Sequence, residues 1–154
     1  MDVDGDGIDE LVFAMVRDNE VRVEVAWWQG REYAVETGVD GAKATHIDRI
    51  QAQDVNGDGR TEIAVQHSRD NAAGMDLWAI DDHDLEEVDG KGACADGNSF
   101  GDRGAHLVDL DGDGVLEIVG TCDGVFGVFG SDATWRWDGE AYVAEDANPP
   151  GRGR

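Results

Sequence analysis

The sequence has little positive charge and little proline. Its 154 residues include 12 Lys and Arg against 35 Asp and Glu, which gives a formal net charge of −23 at pH 7. Nucleic acids and anionic lipids need a basic footprint on a protein partner, so this balance argues against both. The 2 prolines stand together at positions 149 and 150, whereas the 22 glycines favour many tight turns between short strands.

Long apolar segments are also absent. The longest, Leu11–Val16, has six residues, far fewer than the roughly 18 that a membrane-spanning helix needs. The chain opens with acidic residues and lacks the basic and then apolar start of a secretion signal. Hydrophobic residues still make up 40% of the chain, which is enough for a packed core in about one domain. We therefore expect a folded chain with no membrane span.

An acidic segment occurs three times and indicates an internal repeat. Loop 1 begins at Asp2 with DVDGDGIDEL, loop 2 at Asp54 with DVNGDGRTEI, and loop 3 at Asp109 with DLDGDGVLEI. A second motif, Trp-x-Gly-x-x-Tyr, follows loops 1 and 3 at nearly constant distance. Its members begin at Trp28 and Trp137, and Ile80 and Leu85 take its apolar places in the middle unit.

The apolar pattern around the loops is typical of strands. Each loop precedes a short apolar segment and then an alternating run such as Val21–Val25, which a helix would not carry. The Trp-x-Gly-x-x-Tyr motif predicts a hairpin. His46–Gln53 and Ala105–Val108 are strand candidates before loops 2 and 3. The unit is therefore strand, acidic loop and three further strands, and four antiparallel strands in about 50 residues are typical of a β-propeller blade.

We therefore expect an all-β fold that forms a partial β-propeller of three four-stranded antiparallel blades. The repeat region spans residues 1–146, with blades at about 1–41, 42–92 and 93–146, connections at Gly38–Gly41 and Asp89–Gly104, and a disordered tail at 147–154. The first unit starts at its loop, and a closed ring typically needs about four to eight blades. The expectation is a fragment of a longer propeller, or several chains that complete one another.

The acidic loop has the ligand pattern of a Ca²⁺ site. Counted from the first Asp, positions 1, 3, 5 and 9 carry side-chain oxygens, position 7 offers a backbone carbonyl and position 6 is Gly. Ca²⁺ takes ~6–8 oxygen ligands, whereas Mg²⁺ prefers to keep waters, and no Cys and His group has Zn²⁺ spacing. The alternative for each segment is a plain Asp-Gly turn. Up to three Ca²⁺ are expected, with candidate ligands Asp2, Asp4, Asp6, Ile8 and Glu10 in loop 1, Asp54, Asn56, Asp58, Arg60 and Glu62 in loop 2, and Asp109, Asp111, Asp113, Val115 and Glu117 in loop 3.

The loop is not an EF-hand, because position 12 lacks the bidentate Glu and strands flank it. The three segments resemble the FG-GAP, or VCBS, repeat, over about residues 2–146. That family includes the blades of the integrin alpha-chain propeller and many bacterial secreted and surface proteins. The resemblance implies that each loop joins the first two strands of a blade and binds Ca²⁺. Position 9 is Glu where Asp is common in the family, and the Phe-Gly and Gly-Ala-Pro signatures of integrin blades are absent, so no integrin-like partner is inferred.

The two cysteines bear on the compartment. If successive strands alternate in direction, Cys94 and Cys122 lie at the end of the unit opposite the ion. A disulfide there would stabilise the fold by roughly 3–4 kcal/mol in the chain-entropy model, and two buried free thiols are the alternative. A bridge, together with a need for millimolar-range Ca²⁺, predicts an extracellular or cell-surface location.

The remaining side chains give weaker signals. The four histidines occupy different places in their units, so each is expected to be solvated or in the core. Trp28 and Trp137 are expected to pack between blades, the acidic run at 81–84 is expected to be a solvated turn, and no recognisable nucleophile setting occurs. The other three tryptophans are candidates for outward-facing positions: Trp27, Trp78 and Trp135.

These patterns favour a non-catalytic, calcium-binding extracellular module for ligand binding or adhesion. An unknown protein or carbohydrate ligand would contact the loops Asp18–Glu20, Arg69–Gly74 and Asp96–Gly104. The alternative is an accessory or structural domain of a secreted polysaccharide-active enzyme. Catalysis by the chain itself would need a convergent pocket of polar groups opposite the ion loops.

Overall fold

A computed structural model describes residues 2–81, 83–123 and 130–145 of the chain, so the predicted tail at 147–154 lies outside the described residues. Within those ranges every regular element is a strand, which confirms the all-β prediction, and no helix there could span a membrane. The strands are β1 Leu11–Arg17, β2 Glu20–Trp28, β3 Tyr33–Lys43, β4 His46–Gln53, β5 Glu62–Arg69, β6 Ala72–Asp81, β7 Asp84–Glu87, β8 Gly90–Lys91, β9 Ser99–Phe100, β10 Ala105–Val108, β11 Glu117–Cys122, β12 Ser131–Trp137 and β13 Tyr142–Ala144.

The strands form three sheets that follow chain order, except that β8 belongs to sheet 3 and β9 to sheet 2. Sheet 1 has the order β1-β2-β3, sheet 2 the order β4-β5-β6-β7 with β9 on β6, and sheet 3 the order β10-β11-β12-β13-β8. All pairs are antiparallel except β13 with β8. Loop 2 joins β4 to β5, loop 3 joins β10 to β11, and loop 1 leads into β1. Among the described residues no strand of sheet 1 pairs with sheet 3, so the sheets do not close into a ring.

The first hairpin shows why the chain reverses where it does. β1 and β2 are joined by the two residues Asp18 and Asn19, whose φ angles are 55° and 65°. Two central residues with positive φ give a turn whose twist matches that of paired strands, and Asp and Asn tolerate this conformation. Loop 1 enters β1 at its first residue and the turn follows its last, so the turn lies at the opposite end of the strands from the acidic loop.

Two apolar cores lie between consecutive sheets. The first core packs Val21, Val23 and Val25 of sheet 1 against residues of sheet 2, and the second packs sheet 2 against sheet 3. The middle sheet is therefore covered on both faces, and its strand β6 is buried from Gly74 to Ile80. A strand buried on both faces carries a nearly continuous apolar run, whereas β2 alternates.

The repeat marks occupy equivalent places, but the tryptophan faces differ from expectation. Trp28 stands opposite Tyr33, Ile80 opposite Leu85 and Trp137 opposite Tyr142. The prediction that Trp28 packs between sheets is wrong, since it is 39% exposed, while Trp137 is half-buried against the second core. Neighbouring residues on a strand point to opposite faces of the sheet. The prediction that the other three tryptophans face outward is also wrong, because all three are buried: Trp27, Trp78 and Trp135.

Two predicted connections contain strand structure. Gly38–Gly41 belongs to β3, where Val39 pairs with Val23 and the Arg22 guanidinium binds Asp40. A Cβ at Gly38 would collide with that guanidinium, so glycine here makes room for an ion pair on a strand. The connection Asp89–Gly104 contains β8 and β9. Backbone hydrogen bonds to neighbouring strands hold both segments, although neither carries an apolar alternation that would have marked it as a strand.

Candidate metal-binding loops

The three acidic loops share one hydrogen-bonding pattern. In loop 1 the Asp2 carboxylate accepts the backbone N–H groups of Gly5 at 2.8 Å and Gly7 at 3.0 Å. Both glycines have φ above +80°, a conformation that side chains disfavour. The same two bonds recur at Asp54 and Asp109. Position 1 therefore shapes each loop, and the glycines at positions 4 and 6 let the backbone turn around it.

The glutamate at position 9 closes each loop at the start of the following strand. One oxygen of Glu10, Glu62 and Glu117 accepts the backbone N–H of position 2 of its own loop, at 2.8, 2.8 and 2.7 Å respectively. All three glutamates are buried. Each glutamate therefore brings a carboxylate to the inner end of its loop. The side chain of Glu is longer than that of the Asp common at position 9 in the family, so it reaches further into the loop.

Loops 1 and 3 each bring three of their predicted carboxylates together, whereas no such group of three carboxylates occurs in loop 2 among the described residues. Asp2, Asp4 and Glu10 each have an oxygen within 4.8 Å of the others. In loop 3 the equivalent group is Asp109, Asp111 and Asp113, without Glu117. The position-5 carboxylates accept the N–H of position 7, and this places the remaining predicted residues in the same turns: Asp6 with Ile8, Asp58 with Arg60, and Asp113 with Val115. Coordination by the position-7 carbonyls stays a prediction.

Glu62 in loop 2 has an oxygen without a partner. The residue is fully buried, its Oε2 accepts the N–H of Val55, and its Oε1 has no hydrogen bond. Burial, together with the charges of Asp58 and Asp54, raises the pKa of this carboxyl to about 7. A buried polar atom without a partner is costly, and more so when charged. The side chain therefore fits a bound cation.

Two arginines contact the loops in different ways. In loop 2, burial alone would raise the pKa of Asp58, but hydrogen bonds from the Arg60 backbone and guanidinium and from Asn56 hold it below its usual value. In loop 3, Arg136 Nη1 lies 2.8 Å from Asp111 Oδ2 and also contacts Glu117 Oε1. Sequence reasoning missed Arg136, which lies in β12 and outside the loop motif.

Two tyrosines bind the far end of their loops. The Tyr33 hydroxyl donates to the carbonyl of Asp9 at 2.8 Å, and the Tyr142 hydroxyl donates to the carbonyl of Leu116 at 2.9 Å. Both carbonyls belong to position 8. Burial raises the pKa of the Tyr142 hydroxyl above its ordinary value. The constant spacing of the Trp-x-Gly-x-x-Tyr motif from the loop was the signal in the sequence that could have shown this role.

The acidic run at 81–84 is more than a solvated turn. The His83 ring stacks on Trp27 with centroids 4.1 Å apart, and His83 Nε2 lies 3.6 Å from Asp4 Oδ2 in loop 1. The turn between β6 and β7 thus covers a buried tryptophan of sheet 1 and adjoins loop 1. His83 is exposed, as expected of a solvated histidine, although its ring also stacks on Trp27.

A buried polar cluster lies toward the end of the strands that is opposite the acidic loops. Asp76 is fully buried and accepts hydrogen bonds from the Ser99 hydroxyl, from the N–H of Ala42 at 2.8 Å and from His67 Nε2 at 3.1 Å. The predicted ligand loops at 69–74 and 96–104 meet here, since Ala73 N–H donates to Asp102. They line a recess of about 140 Å³.

Cys94 and Cys122 form a disulfide, with Cα atoms 5.6 Å apart, which confirms the predicted bridge over the alternative of free thiols. Cys122 ends β11, and β11 begins at Glu117 beside loop 3. The bridge therefore lies at the end of the strand opposite the acidic loop.

The fold and its loops define a repeat protein of antiparallel sheets entered through acidic, glycine-rich turns. Residues 2–65 match the FG-GAP-like repeat family, in agreement with the resemblance of the loop segments. The match includes loops 1 and 2. Neither the curated proteins nor the solved structures provide a significant match.

Proposed function

We propose that the chain is a calcium-binding, non-catalytic extracellular module that binds a ligand or mediates adhesion. The observation that carries the calcium part is Glu62, a fully buried carboxylate with one oxygen lacking a partner at the inner end of an acidic loop. A divalent ion at this oxygen offsets the cost of burying the charge. Aspartates and backbone carbonyls complete an all-oxygen ligand set, which favours Ca²⁺ over Mg²⁺.

Thermal unfolding in excess EDTA and in excess Ca²⁺ tests this proposal. Each site at a Ca²⁺ concentration 100-fold above its dissociation constant adds ~2.7 kcal/mol of stability. We expect a clear rise in the melting temperature with Ca²⁺ and a smaller rise with equimolar Mg²⁺. An unchanged melting temperature between EDTA and Ca²⁺ contradicts calcium binding.

We further propose that the three sheets are blades of a propeller arc. Their strand order and the two cores between consecutive sheets support this proposal. Sheet 1 leaves Leu11, Phe13 and Met15 of β1 exposed beside an edge with no described partner strand. A further blade of the same kind covers that side in this proposal, because each pair of consecutive sheets in the chain already packs through such a core, and a second copy would bring the larger charge of −23 against it. A stable dimer in light scattering contradicts this choice.

Ligand contact is proposed at the edge opposite the acidic loops. The recess there is lined by Lys43, Arg69, Ser99 and Asp102 among others, and it lies beside the disulfide-bonded connection. The bridge and the expected need for extracellular Ca²⁺ levels support a location outside the cytosol. A glycan array and a cell-surface binding assay with the Ca²⁺-loaded chain test the binding role, and hydrolysis or lyase activity lost on His67→Ala contradicts the non-catalytic assignment.

The second candidate is an accessory domain of a secreted polysaccharide-active enzyme. One observation favours it: Trp28 and Tyr33 form an exposed aromatic pair with ring centroids 5.1 Å apart, and such rings stack on sugars. Polysaccharide pull-down that is lost in Trp28→Ala and kept in Val35→Ala, an exposed apolar control, supports this role. Retention in both variants excludes the pair as the contact.

A further inference from the structure

The three position-9 glutamates differ in what lies opposite them on the next strand. In every unit the strand that follows the loop pairs antiparallel with the next strand, as β1 with β2, β5 with β6 and β11 with β12. The residue opposite position 9 is therefore equivalent in the three units. Extending the observed pairs by one residue in units 1 and 3, the opposite residues are Trp27 for Glu10, Ala79 for Glu62 and Arg136 for Glu117.

This difference decides the environment of the second carboxylate oxygen in loops 2 and 3. Opposite Ala79, Glu62 Oε1 is buried without a partner. Opposite Arg136, Glu117 Oε1 contacts the guanidinium, which also binds Asp111 Oδ2 at 2.8 Å. One cationic side chain thus bridges positions 3 and 9, two of the oxygens that a bound ion would need.

The position of sheet 3 accounts for an arginine at this place. Glu62 lies on the face of sheet 2 that carries Ala64 and packs into the second core. Glu117 lies on the opposite face of β11 from the core residues Ile118 and Cys122, so no described sheet covers its face. Arg136, itself 38% exposed, covers the carboxylate from within its own sheet and anchors its Nε on Glu145 at 2.6 Å.

We propose that Arg136 is an internal cation that takes the place of the metal ion in loop 3, so that the chain binds two Ca²⁺ and not three. This inference rests on the proposed calcium binding of loops 1 and 2. The guanidinium repels a divalent ion and occupies two of its ligand atoms, while it lowers the repulsion among the loop 3 carboxylates. Loop 3 is therefore ordered without Ca²⁺.

Arg60 provides the comparison within the same chain. Its guanidinium binds Asp58 Oδ2 in loop 2 and reaches toward Glu86, but Glu62 Oε1 stays without a partner. Arg60 therefore neutralises one ligand from the side and does not bridge two.

Isothermal titration and equilibrium dialysis with Ca²⁺ alone test the proposal. We expect two ions for the unaltered chain, three for Arg136→Gln, and two for both Arg136→Lys and the matched control Arg22→Gln, whose guanidinium bridges Glu24 and Asp40 in sheet 1. Ala79→Arg places a guanidinium opposite Glu62 and is expected to leave one ion. The pair Arg136→Gln and Arg136→Lys decides the question by itself if Ala79→Arg does not fold.

Three ions on the unaltered chain overturn the role of Arg136 and leave calcium binding intact, whereas no ion on any variant overturns the proposed function itself. Melting temperatures give a second readout. We expect Arg136→Gln to melt below the unaltered chain in EDTA, with Ca²⁺ restoring most of the difference. An equal loss in EDTA and in Ca²⁺ means an ordinary salt bridge and contradicts the proposal.

Discussion

The backbone N–H of Leu116 donates to the carbonyl of Val55 across 2.7 Å, and this bond joins loop 3 to loop 2. Val55 also gives its own N–H to Glu62 in loop 2. The Tyr142 hydroxyl reaches both carbonyls, at 2.9 Å from Leu116 and 3.4 Å from Val55. Order in one loop therefore supports order in the other through a short chain of hydrogen bonds.

Replacing Tyr142 with Phe removes the hydroxyl from this junction and keeps the ring. We expect a loss of about 1–2 kcal/mol, because the Leu116 carbonyl is left without that donor in a partly buried place. Urea unfolding in Ca²⁺ measures it. Tyr33→Phe is the control, since its bond to Asp9 is solvent-exposed and its loss should be smaller. Equal losses contradict the importance of burial here.

Glu62→Gln separates the cost of the buried charge from its benefit. In EDTA we expect the variant to be at least as stable as the unaltered chain, because an unpartnered buried carboxylate is removed and the amide oxygen still accepts the Val55 N–H. In Ca²⁺ it should lose about 2 kcal/mol or more, since a metal ligand is missing. The measurement is chemical unfolding under both conditions, with the exposed Glu87→Gln as control. An equal loss in both is the contrary result.

The disulfide predicts a measurable stabilisation. The double variant Cys94→Ser with Cys122→Ser should lose about 2–4 kcal/mol in chemical unfolding, because the bridge restricts the unfolded chain across a separation of 28 residues. Thiol labelling of the unfolded, unreduced protein should find no reactive cysteine. Labelling of both cysteines contradicts the bridge.

Asp76→Asn tests the buried polar cluster. The substitution keeps the shape but replaces the carboxylate that accepts bonds from Ser99, His67 and Ala42. We expect a loss of about 2–4 kcal/mol, because an amide cannot accept at both ends and at least one buried donor is left unpaired. Asp132→Asn, on an exposed strand position, should change the melting temperature little. A comparable effect of both substitutions argues against a special role for Asp76.

Alternation and turn chemistry made much of the fold predictable. The strands His46–Gln53 and Ala105–Val108 occur with the predicted bounds, since period-two patterns end at the acidic loops. The face of Trp27 was predictable from the same pattern, because Trp27 continues the alternation of Val21, Val23 and Val25 onto the buried face. The repeat position of Trp28 favoured the wrong residue of this adjacent pair.

The shared geometry of the acidic loops followed from the repeat, whereas the surroundings of the loops did not. Positions 1 and 9 keep the same backbone partners in all three loops. The contacts of Arg136 with loop 3 and of His83 with loop 1 depend on hairpin register and on sheet packing. Neither is encoded in the spacing of residues along the motif.

The connection between sheets 2 and 3 is bonded on both sides. Val88 N–H donates to Leu77 in β6, β8 pairs with β13, β9 pairs with β6, and Cys94 is linked to β11. In a simple array each repeat can melt alone, with only nearest-neighbour terms between repeats. Here the connection is bonded to both sheets, so neither sheet can unfold without disrupting the connection that also holds the other. Sheets 2 and 3 should therefore unfold as one cooperative unit, and amide exchange in β6 and β13 should report a single opening free energy.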